Sequence, residues 1–330
     1  MKKALLEIKD LRVSFKSDSK EIEVVRGVDL DINKGECVGL IGESGCGKTT
    51  LGLSITKLMS EQKCIINSGR IFLEGQEILG LDVGELRKIR GKRVSYVFQE
   101  PFSSLNPLFT IYGQLKESLK DRETAERSIS EILRRVGLAK IVGRKKIYPH
   151  QLSGGMQQRA MIAMAIASEP QLLILDEPTT ALDVTVQSQI LKLVMELKNR
   201  MDLSILLISH DLRIVFSLAD RVMVMYAGRI VEGGPREKII SQPAHPYTIG
   251  LINSIPSFEH RKERFSAIEG KAPIFSNLPA GCKFYPRCKF RVDRCMEKEP
   301  LLEEASLGHF SRCIRAKELS SDGAGKSTKS

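Results

Sequence analysis

Gly42-Glu43-Ser44-Gly45-Cys46-Gly47-Lys48-Thr49 is the stretch whose reading decides the fold. The short apolar run CVGLI (37–41) before it has strand character, and TTLGLSITKLM (49–59) after it has helical character. The eight residues satisfy G-x-x-x-x-G-K-[ST] in the strand-loop-helix context that this pattern requires. Glycine here lets successive backbone N–H groups converge on one point, and the helix that follows adds the positive end of its dipole. Together Gly42, Glu43, Ser44, Gly45, Cys46, Gly47, Lys48, Thr49 and Thr50 form a phosphate cradle. Lys48 neutralises the β- and γ-phosphates of a nucleoside triphosphate, and the Thr49 hydroxyl ligates Mg²⁺. A second occurrence, GAGKST at 323–328, has Ser320 where the first Gly is required, with no strand before it and no helix after it, and is rejected.

A triphosphatase also needs a carboxylate to hold the metal and another to position the attacking water. LLILDEP (172–178) places both at the end of an apolar strand: Asp176 for Mg²⁺, Glu177 as the base or water-orienting group. Outward from these motifs, alternation at Leu11, Val13, Phe15 and again at Val28, Leu30, Ile32 predicts an antiparallel β layer over 5–33. Apolar strands at 70–73, 94–98, 172–175 and 205–208, with a helix near 184–200 between the last two, predict a parallel, doubly wound α/β core. Helical periodicity replaces the strand signal between about 100 and 168, so an α-helical subdomain is inserted in that core. RVMVMYAGRIVEGG (221–234) reads as a hairpin. The expected division is an ATPase domain over 1–240, a C-terminal extension with a small Cys-rich module over 241–318, and a disordered polar tail over 319–330.

Composition narrows the class. At 330 residues, 42% hydrophobic and 28% charged, the chain has ample core for roughly two domains and is too apolar for disorder. The longest apolar runs, such as 160–167, stop at about eight residues, far short of the ~18 of a membrane span. Glu7 interrupts the only apolar stretch near the N-terminus, which argues against a secretory signal and for the cytosol. The net charge of +11 does not choose a partner, and the absence of Trp with 5% aromatics removes the stacking stripe of single-strand binders, so no nucleic acid is expected.

Seven cysteines in a cytosolic chain are not read as disulfides. Cys282, Cys288, Cys295 and Cys313 fall within 32 residues with the spacing C-x5-C-x6-C-x17-C, and are read as ligands of one metal centre. Zinc suits four thiolates but commonly uses C-x2-4-C knuckles, whereas a [4Fe-4S] cluster accepts looser spacings. The role expected is structural, folding a module too small for its own core. Cys46 is read as a small residue standing in for Ser or Ala; the alternative, from its place near the positive end of a helix where thiol pKa values are lowered, is a thiol whose alkylation blocks nucleotide binding.

The order of motifs resembles the nucleotide-binding subunits of ABC transporters over most of 5–235: GESGCGKT, Gln99 in VFQEP, LSGGMQQR (152–159), LILDEP, ALD ending at Asp183, and His210 in LISHD. The resemblance implies that Ser153, Gly154 and Gly155 form a second phosphate clamp that closes on ATP held by the partner subunit's loop. It implies that Gln99 reaches Mg²⁺ and the attacking water, with 100–107 contacting a membrane subunit, that His210 bonds the γ-phosphate and that Asp183 faces the partner. Phe15 is the candidate for stacking on adenine, where the family more often carries Tyr. QRAMIAMAIASEP (158–170), HPYTIGLINSIP (245–256) and PAGCKFYPRC (279–288) look like the oligopeptide/dipeptide importer ATPases, D-type (OppD/DppD-like), and such a tail also implies an iron–sulfur cluster. The expectation is an ATPase peripheral to the cytoplasmic face of the membrane, powering peptide import. It would pair with an F-type ATPase subunit or a second copy of itself beneath two integral membrane permease subunits. A nickel or other small-solute importer and a soluble ABC ATPase are the alternatives.

Overall fold

A computed structural model describes residues 4–17, 20–60, 62–119, 124–180, 182–255 and 268–321. In chain order the elements are β1 Ala4–Ser17, β2 Lys20–Asn33, β3 Cys37–Ile41, α1 Lys48–Ile55, β4 Cys64–Leu73, β5 Gln76–Glu77, α2 Val83–Ile89 and β6 Val94–Val97. There follow α3 Pro101–Ser104, α4 Ile111–Ser118, α5 Ala125–Arg135, α6 Gly154–Ile166, β7 Leu172–Asp176, α7 Val184–Met201, β8 Ser204–Ser209 and α8 Leu212–Leu218. The chain ends with β9 Arg221–Tyr226, β10 Arg229–Pro235, α9 Arg236–Ser241, α10 Pro246–Asn253, α11 Arg294–Glu297, β11 Glu303–Ser306, β12 His309–Ser311 and α12 Ala316–Ser321. The tail motif at 323–328 lies outside the described residues. The chain divides into two compact units, one of residues 1–6, 32–37 and 72–208, the other of 7–31, 38–71 and 209–330.

In the first unit β6, β7 and β8 run parallel, with Val94 opposite Leu172 and Leu172 opposite Ser204. Every residue of β7 and β8 is buried, which is why both read as continuous apolar runs rather than alternating ones. Ile190, Leu193, Val194 and Leu197 form the buried stripe of α7 at helical spacing. The helices between 101 and 166 are the expected insertion. In α5, Ala125, Ile129, Ile132 and Leu133 are buried on one face, and α6 packs against α3, α4 and β6. Asp183 is the N-cap of α7, its carboxylate accepting the Val186 N–H at 2.9 Å.

In the second unit β2, β1 and β4 lie side by side in that order, so the strand expected at 70–73 is the end of β4 in this sheet and not part of the parallel core. β3 pairs parallel with β9, β9 antiparallel with β10, β10 with β12 and β12 with β11. Helix α8 packs on β3, because a Cβ at Gly39 would lie 2.2 Å from Val215 Cγ1. The β11–β12 hairpin was not expected from the sequence, its four- and three-residue strands being too short for alternation to register. No helix among the described residues is long and apolar enough to cross a membrane.

Candidate functional site

The phosphate cradle belongs to the second unit. β3 ends at Ile41 and α1 begins at Lys48, so 42–47 are free to turn. Gly47 is the N-cap of α1 with φ 108°, and a Cβ there would lie 2.9 Å from Val24 O, so only glycine fits without strain. The loop is tied down by Gly228 N–H donating to Cys46 O (3.0 Å) and by Glu43 N–H donating to Tyr247 Oη (2.8 Å). Lys48 is buried and its ammonium donates to Gly42 O (2.7 Å) and Glu43 O (3.0 Å), holding the charge at the loop's centre. Ser44, Gly45 and Thr49 are exposed along the cradle, and Thr50 is buried behind it. Phe15, on β1 of the same unit, is 38% exposed. His210, one residue beyond β8, is exposed.

Cys46 goes against the reactive-thiol alternative. It is 6% exposed, and burial pushes its thiol pKa up in spite of the Lys48 ammonium 3.9 Å away. Desolvation of the thiolate outweighs the neighbouring charge and the helix end. The thiolate fraction near neutrality is therefore smaller than that of a free cysteine. Alkylation of Cys46 by iodoacetamide at pH 7.5 is expected to be slower than that of a solvent-exposed thiol. A rate equal to that of a small free thiol would refute this.

The first unit holds the carboxylates and the signature. Asp176 ends β7, is 2% exposed and accepts a hydrogen bond from Tyr96 Oη at 2.8 Å. Burial and that carboxylate push the Tyr96 hydroxyl pKa up, so it remains a donor. Glu177 has φ 50°, a left-handed conformation uncommon for a non-glycine residue, and is held there by its N–H donating to Ile208 O at 2.9 Å. The Thr180 hydroxyl donates to its Oε2 at 3.5 Å. Gln99 is exposed, two residues past β6. Ser153 is the N-cap of α6, with Met156 N–H 3.4 Å from its Oγ. Gly154 and Gly155 open that helix, and a Cβ at Gly155 would meet Val186 Cγ1 at 2.6 Å. Asp183 is exposed at the start of α7.

The C-terminal segment brings Cys282, Cys288, Cys295 and Cys313 to the lining of one small pocket, walled also by Phe284, Tyr285 and Phe290. Burial is the main cause that pushes Cys282 up to about 11 and Cys313 up to about 12, and the neighbouring thiols add to both shifts. Cys282 N–H donates to Cys295 O at 2.8 Å, closing the segment on itself. Among the described residues no three His, Cys, Asp or Glu side chains are grouped so as to hold a metal ion, so the geometry does not support the metal centre expected from the cysteine spacing.

Sequence reasoning missed Tyr96, Tyr247 and Arg287, whose partners lie 80, 204 and 244 positions away. No local pattern carries such pairings. The cradle, the buried aspartate, the strained glutamate and the glycine-headed helix after Ser153 together define a P-loop nucleoside triphosphatase.

Residues 25–180 match the ABC transporter family, and residues 231–295 match the oligopeptide/dipeptide transporter C-terminal region. The oligopeptide transport ATP-binding protein AppD of Bacillus subtilis is 44% identical over 95% of this chain and 97% of its own. Among solved structures, the dimeric ATP-binding cassette MJ0796 bound to ADP and Pi matches with TM-score 0.62 at 27% identity, over 70% of this chain and 98% of that one. CbiO1 of Clostridium perfringens, part of the transporter complex cbiONQ, matches with TM-score 0.62 at 26% identity, over 76% and 95%. The chain belongs to the ATP-binding subunits of ABC transporters, in the oligopeptide/dipeptide transporter family, and is an ATPase.

Proposed function

We propose that this protein is the ATP-hydrolysing subunit that powers import of dipeptides and oligopeptides through a membrane ABC transporter. The observation that carries the reading is the match of 231–295 to the oligopeptide/dipeptide C-terminal region in a chain whose 25–180 match the transporter ATPase. In this reading residues 1–240 are the ATPase domain, with 100–168 its helical subdomain, and 241–318 are the extension. The subunit sits peripherally on the cytoplasmic face, paired with an F-type ATPase or a second copy of itself beneath two permease subunits.

Each residue then has a task. Backbone N–H groups of 42–49 and the Lys48 ammonium hold the triphosphate, and Phe15 stacks on the adenine. Thr49, Gln99 and Asp176 would hold Mg²⁺, which screens the charge between the phosphates, and Tyr96 fixes the orientation of the Asp176 carboxylate. Glu177 orients the attacking water and receives its proton, while His210 bonds the γ-phosphate. Ser153, Gly154 and Gly155 close on ATP held by the partner, and Asp183 faces that partner across the pair. Each subunit thus completes the other's site. Co-purification with two membrane proteins and ATP-dependent uptake of labelled dipeptide into proteoliposomes tests the reading. Uptake of nickel but not peptide, or purification with no membrane protein, would overturn it.

The four thiols are proposed to hold a [4Fe-4S] cluster. Supporting this are their spacing and the pocket they line together. When bound, such a group would cross-link 282–313 and supply a fold for a segment with little core of its own. Anaerobic purification is expected to give about four iron and four acid-labile sulfide per chain. Stoichiometric zinc without sulfide would refute the cluster, and unchanged thermal unfolding of Cys288→Ser would refute its structural role.

A further inference from the structure

Arg287 stands between the first two thiols of the Cys-rich segment, on a short 3₁₀ turn over Tyr285–Arg287. Tyr285 N–H donates to Cys282 O (3.0 Å) and Cys288 N–H to Tyr285 O (3.2 Å), so the turn that carries the arginine is built from the two cysteines flanking it. Its guanidinium grips the Glu43 carboxylate with both arms, Nη1 to Oε2 at 2.6 Å and Nη2 to Oε1 at 2.8 Å. Nε donates to Glu269 O at 3.0 Å, and the rings of Tyr226 and Phe284 each lie 5.9 Å from the guanidinium carbon. The Arg287 side chain is only 6% exposed and Glu43 29%. This fork-on-fork pair is oriented from three sides and is unlike the screened ion pairs of an open surface.

Glu43 is the second residue of the phosphate cradle. Its N–H is held by Tyr247 and its carbonyl by Lys48. A carboxylate in a loop that must accept a triphosphate repels its ligand unless its charge is covered, and the arginine that covers it comes from the thiol-bearing turn. We propose that Arg287 is a positioning residue for nucleotide binding: it neutralises Glu43 and holds the cradle's shape. ATP affinity thereby depends on the integrity of the turn between Cys282 and Cys288. The proposal rests on the ATP cradle at 42–49 and is independent of which group the thiols hold.

The test is Mg-ATP binding by calorimetry on the purified full-length chain, with KM and kcat in the assembled transporter. Arg287→Ala is expected to weaken binding about tenfold at low salt, a typical coupling between adjoining sites, and by less at high salt as the exposed repulsion is screened. KM should rise with kcat at saturation unchanged. Arg287→Lys, a point charge without the fork, should fall in between. Adding Glu43→Gln to Arg287→Ala should recover most of the lost affinity, because the harm is the uncovered carboxylate. Wild-type affinity in Arg287→Ala, or a double variant as weak as the single one, would overturn the charge-covering role. A folded Cys288→Ser protein with wild-type affinity would overturn the dependence on the turn. Undiminished ATP binding by Lys48→Ala would instead sink the cradle assignment on which the proposal stands.

Discussion

Replacing Glu177 by Gln is expected to lower kcat by about 10²–10⁴-fold in the assembled transporter while leaving Mg-ATP binding intact. The exchange keeps size and hydrogen-bonding capacity but removes the group that accepts the proton of the attacking water. It touches neither the N–H groups of the cradle nor Lys48. The backbone at Glu177 supports a task beyond packing, since φ 50° is maintained by the bond to Ile208 O at the end of a wholly buried strand. Such strain persists where the surroundings over-determine it. A kcat within a few-fold of wild type would remove Glu177 from the chemistry. Parallel loss of binding would mean that the substitution had disturbed the cradle.

Glu232→Ala is expected to destabilise the protein by about 3–5 kcal/mol, the cost of leaving buried polar groups without their partner at about 1–3 kcal/mol each. Glu232 on β10 is fully buried and accepts from Ala244 N–H (2.7 Å), His245 N–H (2.9 Å) and His309 Nε2 (2.7 Å). It ties together the entry to α10, the strand β10 and the hairpin strand β12. Next to it, burial pushes the His245 imidazole down to about 3, so that ring is neutral and its Nδ1 accepts the Tyr247 N–H at 3.1 Å. The alanine variant leaves two backbone donors and one imidazole in the core without their acceptor. Thermal unfolding should fall by on the order of 10 °C. A change under ~2 °C would show that water or a neighbour takes over, and that the network is not what fastens β12 to β10.

Sequence alone determined the chemistry of this protein and the class of its fold. The glycine-lysine loop, the acid pair after an apolar run and the glycine-headed helix are local arrangements. Each is encoded within about ten consecutive residues, and the strand-loop-helix context is read from hydrophobic period. The cysteine spacing likewise marked out the C-terminal segment before any coordinate. Tertiary structure alone decided the electrostatics. Cys46 carries the same helix-end signal as a reactive thiol, yet burial pushes its thiol pKa up. The pairings Tyr96 with Asp176, Glu232 with His309 and Arg287 with Glu43 join positions 77 to 244 apart, where no periodicity reaches. Propensity and pattern act over a turn or a strand, whereas the charge a side chain bears, and the group that balances it, are set by whichever segments the fold packs around it.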